Sequence, residues 1–215
     1  MNMNASKFGS SALLGLAAAL GVQPTIAQDS FPGMPSRAAP QAPAARPAVT
    51  PPRPAPTATT PSGEGEDFGV APSDRLRPTD QLHGRTPSSI PGARVVTTAQ
   101  LSEWMKGQSG QQGRVMLLHT IASTTHLPNA LPATPASQGG SYDDQTQRDF
   151  GNYLRQATGG DRGRLIVTYC QGVSCWGSYN AALRAVRLGY TNVHWYRGGI
   201  DAWQQAGLPL LQAQR

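Results

Sequence analysis

Charge is scarce in this sequence. Asp, Glu, Lys and Arg supply only 14% of 215 residues, well under the roughly 25% of an ordinary soluble domain. With 19 prolines, most of them at or before Pro91, the amino-terminal part cannot bury enough apolar surface to offset the entropy of ordering it. Long apolar runs are missing too, since a bilayer needs about 20 such residues. The longest, Ala12 to Val22, is much shorter. No basic stripe interleaved with aromatics occurs, so the formal charge of +6 does not indicate a nucleic-acid partner. Arginines such as Arg155, Arg184 and Arg187 stand singly, and solvated charge is the expected state for them. There are only two cysteines, and no second Cys/His pair has ligand spacing, so no metal site and no cofactor is called for.

What remains divides into three parts. Lys7, the apolar run and Thr25-Ile26-Ala27 form the n-region, h-region and cleavage site of a signal peptide spanning residues 1–27. The Arg-rich, Lys-poor, Ala/Pro-rich bias points to a GC-rich bacterium and hence to the periplasm. Residues 28–63 form a low-complexity Pro/Ala tether with PPII tendency and no hydrophobic period. Residues 64–215 form the domain. No other segment is apolar enough to span, so the mature protein is expected to be exported and soluble.

Within the domain, residues 64–93 read as irregular chain draped on the surface. Arg94-Val95-Val96 is a short strand, and Thr98 is the expected N-cap of a helix carrying Leu101, Trp104 and Met105. Val115 to Leu118 reads as a central strand, Thr120 to Gly140 as a long polar loop, and Tyr142 to Thr158 as a helix stopped by Gly159-Gly160. Leu165-Ile166-Val167 opens another buried strand. A helix over Tyr179 to Leu188, a strand over Val193 to Tyr196 and a helix over Ile200 to Ala206 follow. Alternation at this spacing predicts an α/β fold, a parallel sheet with helices on both faces. Ligands in such sheets bind beyond the carboxyl ends of the strands.

Cys170 sits at such an end, Cys175 closes a small polar loop, and a helix starts near Ser178. Backbone N–H groups and a helix dipole aimed at one atom favour an ionised thiol there. A disulfide across so short a loop gains little chain entropy, so a reactive or redox-active pair is the stronger reading. Phosphatase or arsenate reductase chemistry would need a loop Arg for a tetrahedral anion. No Arg lies between Arg164 and Arg184. Trp176, beside the loop, could wall the site or pack under the helix.

Tyr169-Cys170 after an apolar strand, Gly198-Gly199-Ile200-Asp201-Ala202-Trp203, Ala206-Gly207-Leu208-Pro209 and His126-Leu127-Pro128-Asn129-Ala130 together resemble the rhodanese-like family. Asp67-Phe68-Gly69-Val70, the run from Ser89 to Leu101 and Cys175-Trp176 resemble its exported CxxCW-motif members, which are associated with pyrroloquinoline-quinone-dependent alcohol catabolism. The resemblance implies a rhodanese-like parallel sheet and a sulfurtransferase in which Cys170 carries a persulfide and passes it to a thiophilic acceptor. It implies a cradle of Gln171, Gly172, Val173, Ser174 and Cys175, with Trp176 beside it. Cys175 replaces the cation that commonly closes the family's loop, and His119-Thr120 stands where Asp then Arg is usual. A neutral or small sulfur donor is therefore expected over thiosulfate. Two other readings stay open: a thiol–disulfide redox protein using Cys170 and Cys175, and an inactive rhodanese-like module that docks a periplasmic redox partner. The expected partners are a small-molecule sulfur donor or such a redox protein.

Overall fold

The computed structural model describes residues 63–107 and 115–212. The predicted signal peptide and all of the tether except Gly63 lie outside those residues. Seven strands and four α-helices are described: β1 (Arg94–Val95), α1 (Thr98–Lys106), β2 (Met116–His119), β3 (Thr125–His126), β4 (Leu131–Pro132), α2 (Gln145–Thr158), β5 (Ile166–Tyr169), α3 (Gly177–Arg187), β6 (Val193–Tyr196), α4 (Gly199–Gln205) and β7 (Leu211–Gln212). Five of the strands form one sheet in the order β1-β6-β5-β2-β4. Every pairing in it is parallel. β3 and β7 form a separate antiparallel pair.

Successive strand residues point to opposite faces, and the core divides accordingly. Met116, Leu118 and Ile166 pack with Phe150 and Leu154 of α2 and Leu183 of α3. Leu117, Val167 and Tyr169 pack with Leu101 of α1 and Trp203 of α4. Helices therefore cover both faces, as the alternation predicts. Because both faces are covered, β2, β5 and β6 are buried at every position.

Local chemistry shifts several expected boundaries. The N-cap of α1 is Thr97, not Thr98: its hydroxyl accepts from Gln100 N while the Gln100 side chain accepts from Thr97 N, a reciprocal capping box. α2 starts at Gln145 because Asp144 caps it, accepting from Gln147 N at 2.6 Å. β2 runs one residue later than read and lies beside β5, the middle strand. The segment read as a polar loop over 120–140 contains β3, β4 and a 3-10 turn at Thr134–Ser137. Two-residue strands carry no detectable period, which is why the sequence shows none there.

Arg184 is a larger correction, because it is fully buried, not solvated. Its two terminal nitrogens donate to Gln138 O, Gly139 O, Ser141 O, Gln147 Oε1 and both carboxylate oxygens of Asp144. This ties α3 to the start of α2 and to the turn before it. Burial pushes the Asp144 carboxyl upward, but the bonds from Arg184 and from the Gln147 and Ser141 amides outweigh it and hold the group below its ordinary range.

Residues 63–93 contain only a short 3-10 turn at Thr79–Gln81, so they are irregular as expected. They are more than draped, however. Tyr179 Oη on α3 accepts from Ser73 N and donates to Ser73 O, and Asn180 bonds both the amide and the carbonyl of Arg77. Arg197, at the end of β6 and 1% exposed, donates to the carbonyls of Glu64, Glu66 and Thr86 and to Thr86 Oγ1. This segment is a strap, bonded to the domain by buried polar side chains.

Candidate active site

β5 ends at Tyr169, and Cys170 leaves the sheet at the carboxyl end of its middle strand. The loop reaches Cys175 and passes through Trp176 into α3, whose first residue is Gly177. Here Cys170 and Cys175 are joined as a disulfide, with Cα atoms 6.1 Å apart. Both are buried, Cys170 at 2% exposure and Cys175 at 8%, whereas Gln171 and Ser174 between them are exposed. Sequence reasoning had left open whether the two cysteines are bonded.

Glycine makes this geometry possible. A Cβ on Gly177 would lie 2.9 Å from Ser137 Cβ and 3.8 Å from Cys170 Sγ, so the sulfur rests against the first turn of α3. Gly199 has φ of +58°, and a Cβ there would stand 2.4 Å from Cys170 O and 2.7 Å from Gln171 O. Only a bare backbone lets the start of α4 approach the loop so closely. Ile200 N and Asp201 N then donate to Cys170 O and Gln171 O, and Asp201 Oδ1 accepts from Gln171 Nε2 at 2.6 Å.

The predicted cradle needs one correction. Cys175 N donates to Gly172 O at 3.0 Å, closing a turn inside the loop, so its N–H is already committed. Gln171, Gly172, Val173 and Ser174 form the loop between the cysteines. Trp176 packs under the helix: it is 4% exposed, meets Tyr179 edge-on at 5.0 Å between ring centroids, and carries the Arg77 guanidinium 4.9 Å from its own ring centroid. Its backbone N–H donates to Leu82 O.

The strap supplies what sequence reasoning missed. Residues 82–86 run alongside the loop: Gly84 N donates to Ser174 O, Thr86 N and Oγ1 both donate to Val173 O, and His83 faces Cys175 across an antiparallel bridge. Thr86 in turn accepts from Arg197 Nε, so one buried hydroxyl links the loop to the end of β6. No periodicity marks residues 82–86, and the only hint was a histidine in a turn-rich stretch.

On the α1/α4 face, the His119 ring stacks on Tyr169 at 5.1 Å with an interplanar angle of 10°. His126 lies 6.2 Å from His119, its Nδ1 bonded to Leu127 O. Burial, reinforced by His126, lowers the His119 pKa to about 4, which keeps the ring neutral at physiological pH. Both histidines line a cavity of about 340 Å³ with Ser123 and Thr134. Among the described residues no cluster of three or more His, Cys, Asp or Glu could hold a metal ion. No helix there is long and apolar enough to cross a membrane.

Solved structures to which the chain is similar include a Bacillus halodurans protein at 18% identity and TM-score 0.40, covering 56% of this chain and 77% of its own. A thiosulfate sulfurtransferase of Pseudomonas aeruginosa has 14% identity and TM-score 0.40 over 57% of this chain, but only 21% of that enzyme is covered. The rhodanese-like domain of an Anabaena protein has 15% identity and TM-score 0.40, covering 55% and 79% of the two chains. No curated protein matches the chain. Residues 122–206, which include the cysteine loop, α3, β6 and α4, match the family of rhodanese-like domains, and within that segment the loop holds Cys170 and Cys175 as a disulfide.

Proposed function

We propose that this protein is an exported, periplasmic sulfurtransferase in which Cys170, once reduced, carries a persulfide and hands its outer sulfur to a thiophilic acceptor. The observation that carries the reading is the position of Cys170 Sγ, at the end of the middle strand and against the first turn of α3 within the rhodanese-like segment. A thiolate is favoured at a helix N-terminus by the dipole and by backbone N–H groups. The thiolate attacks the sulfane sulfur of a donor, forming a Cys170 S–S bond and expelling the donor's remainder as an anion. A nucleophilic acceptor then takes that sulfur, and the Cys170 thiolate leaves. With Cys175 in place of a loop cation, a neutral or small donor is favoured over doubly charged thiosulfate.

The bond between Cys170 and Cys175 supports a second reading, a periplasmic thiol–disulfide redox protein. A link to quinoprotein-dependent alcohol catabolism belongs to this proposal and rests on the CxxCW-type likeness alone. One assay separates the readings. The reduced domain is incubated with sulfane-sulfur donors and cyanide while Cys170 and Cys175 are followed by mass spectrometry. Sulfur transfer predicts a 32 Da gain, the mass of roughly one sulfur atom, on Cys170 and loss of thiocyanate formation in Cys170→Ala. Reversible disulfide cycling without that gain would establish the redox reading instead, and inert thiols would leave a docking module.

A further inference from the structure

The strap places a titratable side chain against the loop from outside the family-matched segment. His83 pairs with Cys175, while the flanking hydrogen bonds run from Gly84 N to Ser174 O and from Trp176 N to Leu82 O, each at 2.9 Å. Bonds on the neighbours of a pair, and none between its own members, define the non-hydrogen-bonded position of an antiparallel ladder. At that position Cα atoms approach to about 4.5 Å and the two side chains stand on the same face. The ladder therefore sets residues 83 and 175 directly opposite each other, with their Cβ atoms on one face. His83 is exposed and Cys175 is buried beneath the pairing, so the imidazole can exchange protons with water for a sulfur that is itself covered.

The charged groups around the loop each have a partner. Asp201 accepts from Gln171. Arg85 lies over the Phe68 ring, and Arg77 over Trp176. Arg197 donates to strap carbonyls. His83 is the titratable side chain that the strap sets opposite Cys175.

Building on the sulfur-transfer reading above, we infer that Cys175 resolves the Cys170 persulfide with His83 as its acid–base partner. His83 takes the proton of the Cys175 thiol. The resulting thiolate attacks Cys170 Sγ, the Cys170–Cys175 bond forms, and the bond from Cys170 Sγ to the outer sulfur breaks. That sulfur leaves as hydrosulfide and receives the proton from the imidazolium. The outer sulfur gains two electrons and the two cysteine sulfurs together lose two, so no external oxidant enters. The net change is one persulfide and one thiol giving one disulfide and one hydrogen sulfide. The bond this step forms is the one present in the structure. Restoring the thiols for another cycle takes a dithiol reductant.

Two measurements test the pairing. In the full-length chain carrying Cys170→Ser, Cys175 is the sole thiol and no persulfide can form, so this arm is independent of sulfur transfer. Its iodoacetamide alkylation rate is measured between pH 5 and 10, with His83 present and as His83→Gln. The pairing predicts roughly tenfold faster alkylation at pH 7 with His83, and a midpoint about one pH unit lower. Superimposable profiles overturn the pairing. In the second arm, the reduced chain with both cysteines is loaded with glutathione persulfide. His83→Gln should release sulfide roughly tenfold more slowly and accumulate persulfide on Cys170. Equal release rates overturn the resolving step. If Cys170 gains no sulfur in either protein, the sulfur-transfer reading falls and the resolving step with it, while the alkylation profiles alone decide whether His83 serves Cys175.

Discussion

Replacing Arg184 by Met should destabilise the domain by about 3 kcal/mol, although Arg184 touches neither cysteine. The side chain is fully buried, and its loss strands three carbonyls, one amide oxygen and the Asp144 carboxylate at once. Breaking a buried ion pair by removing one partner costs about 3–5 kcal/mol. Asp144 is 25% exposed and can regain water, which places the expected loss near the lower end. For a domain of this size that corresponds to a fall in Tm of roughly 6–12 °C. Asp144→Asn should cost less, about 1–2 kcal/mol, because Asn still accepts from Gln147 N at the start of α2. Urea unfolding of the two single variants and the double variant completes a cycle, with an expected coupling of about 1–3 kcal/mol. A loss under about 1 kcal/mol for Arg184→Met, or strictly additive variants, would refute the idea that this guanidinium joins α2 to α3.

Other outcomes follow from the same geometry. Asp144 has a folded pKa below its unfolded value of about 3.9, so its contribution is present above that value and disappears as pH falls through the folded pKa; acid unfolding of Asp144→Asn should lose that steep limb. His119 is also held low, at about 4 against about 6.5 unfolded. The unfolded chain binds more protons in that window, so stability should drop as pH falls from 6.5 to 4, and urea midpoints should show a flatter slope in His119→Phe. Gly199→Ala should displace the loop, because its Cβ would strike Cys170 O at a positive φ; a loss of about 2 kcal/mol and faster alkylation of the reduced cysteines are expected. Reduction of the disulfide should lower unfolding stability by about 2 kcal/mol, the entropy of a loop this small, which urea titrations with and without reductant will measure.

The parts legible in the sequence are those whose residues repeat a pattern. Val193 to Tyr196 is a strand at the expected residues, and the helix after Trp176 ends at Arg187 with Gly189 at φ +85° beyond it. Apolar spacing and a glycine stop encode such elements locally. The site was half legible: Cys170 and Cys175 announced themselves by residue type, and Trp176 required coordinates to show which way it packs. The strap was illegible as a partner of the loop. Its bonds run through backbone carbonyls to Arg197 and through a bridge between residues far apart in sequence, and neither leaves a periodic trace. Arg184 was misread for a related reason, since a buried arginine and a solvated one look alike until their acceptors are located.

The strap has a consequence for the order of events when the chain folds. Its bonds to Arg197 join groups 111 to 134 residues apart, and contacts this distant in sequence are slow to close because chain entropy must be overcome first. The pairings of β5 with β6 and of β2 with β5 join nearer neighbours, whereas the cysteine loop receives its outer edge only when residues 82–86 arrive. Two cysteines oxidised before that moment would be joined without His83 beside them. Docking of the strap is therefore the event that brings His83 to a loop already formed or still reduced.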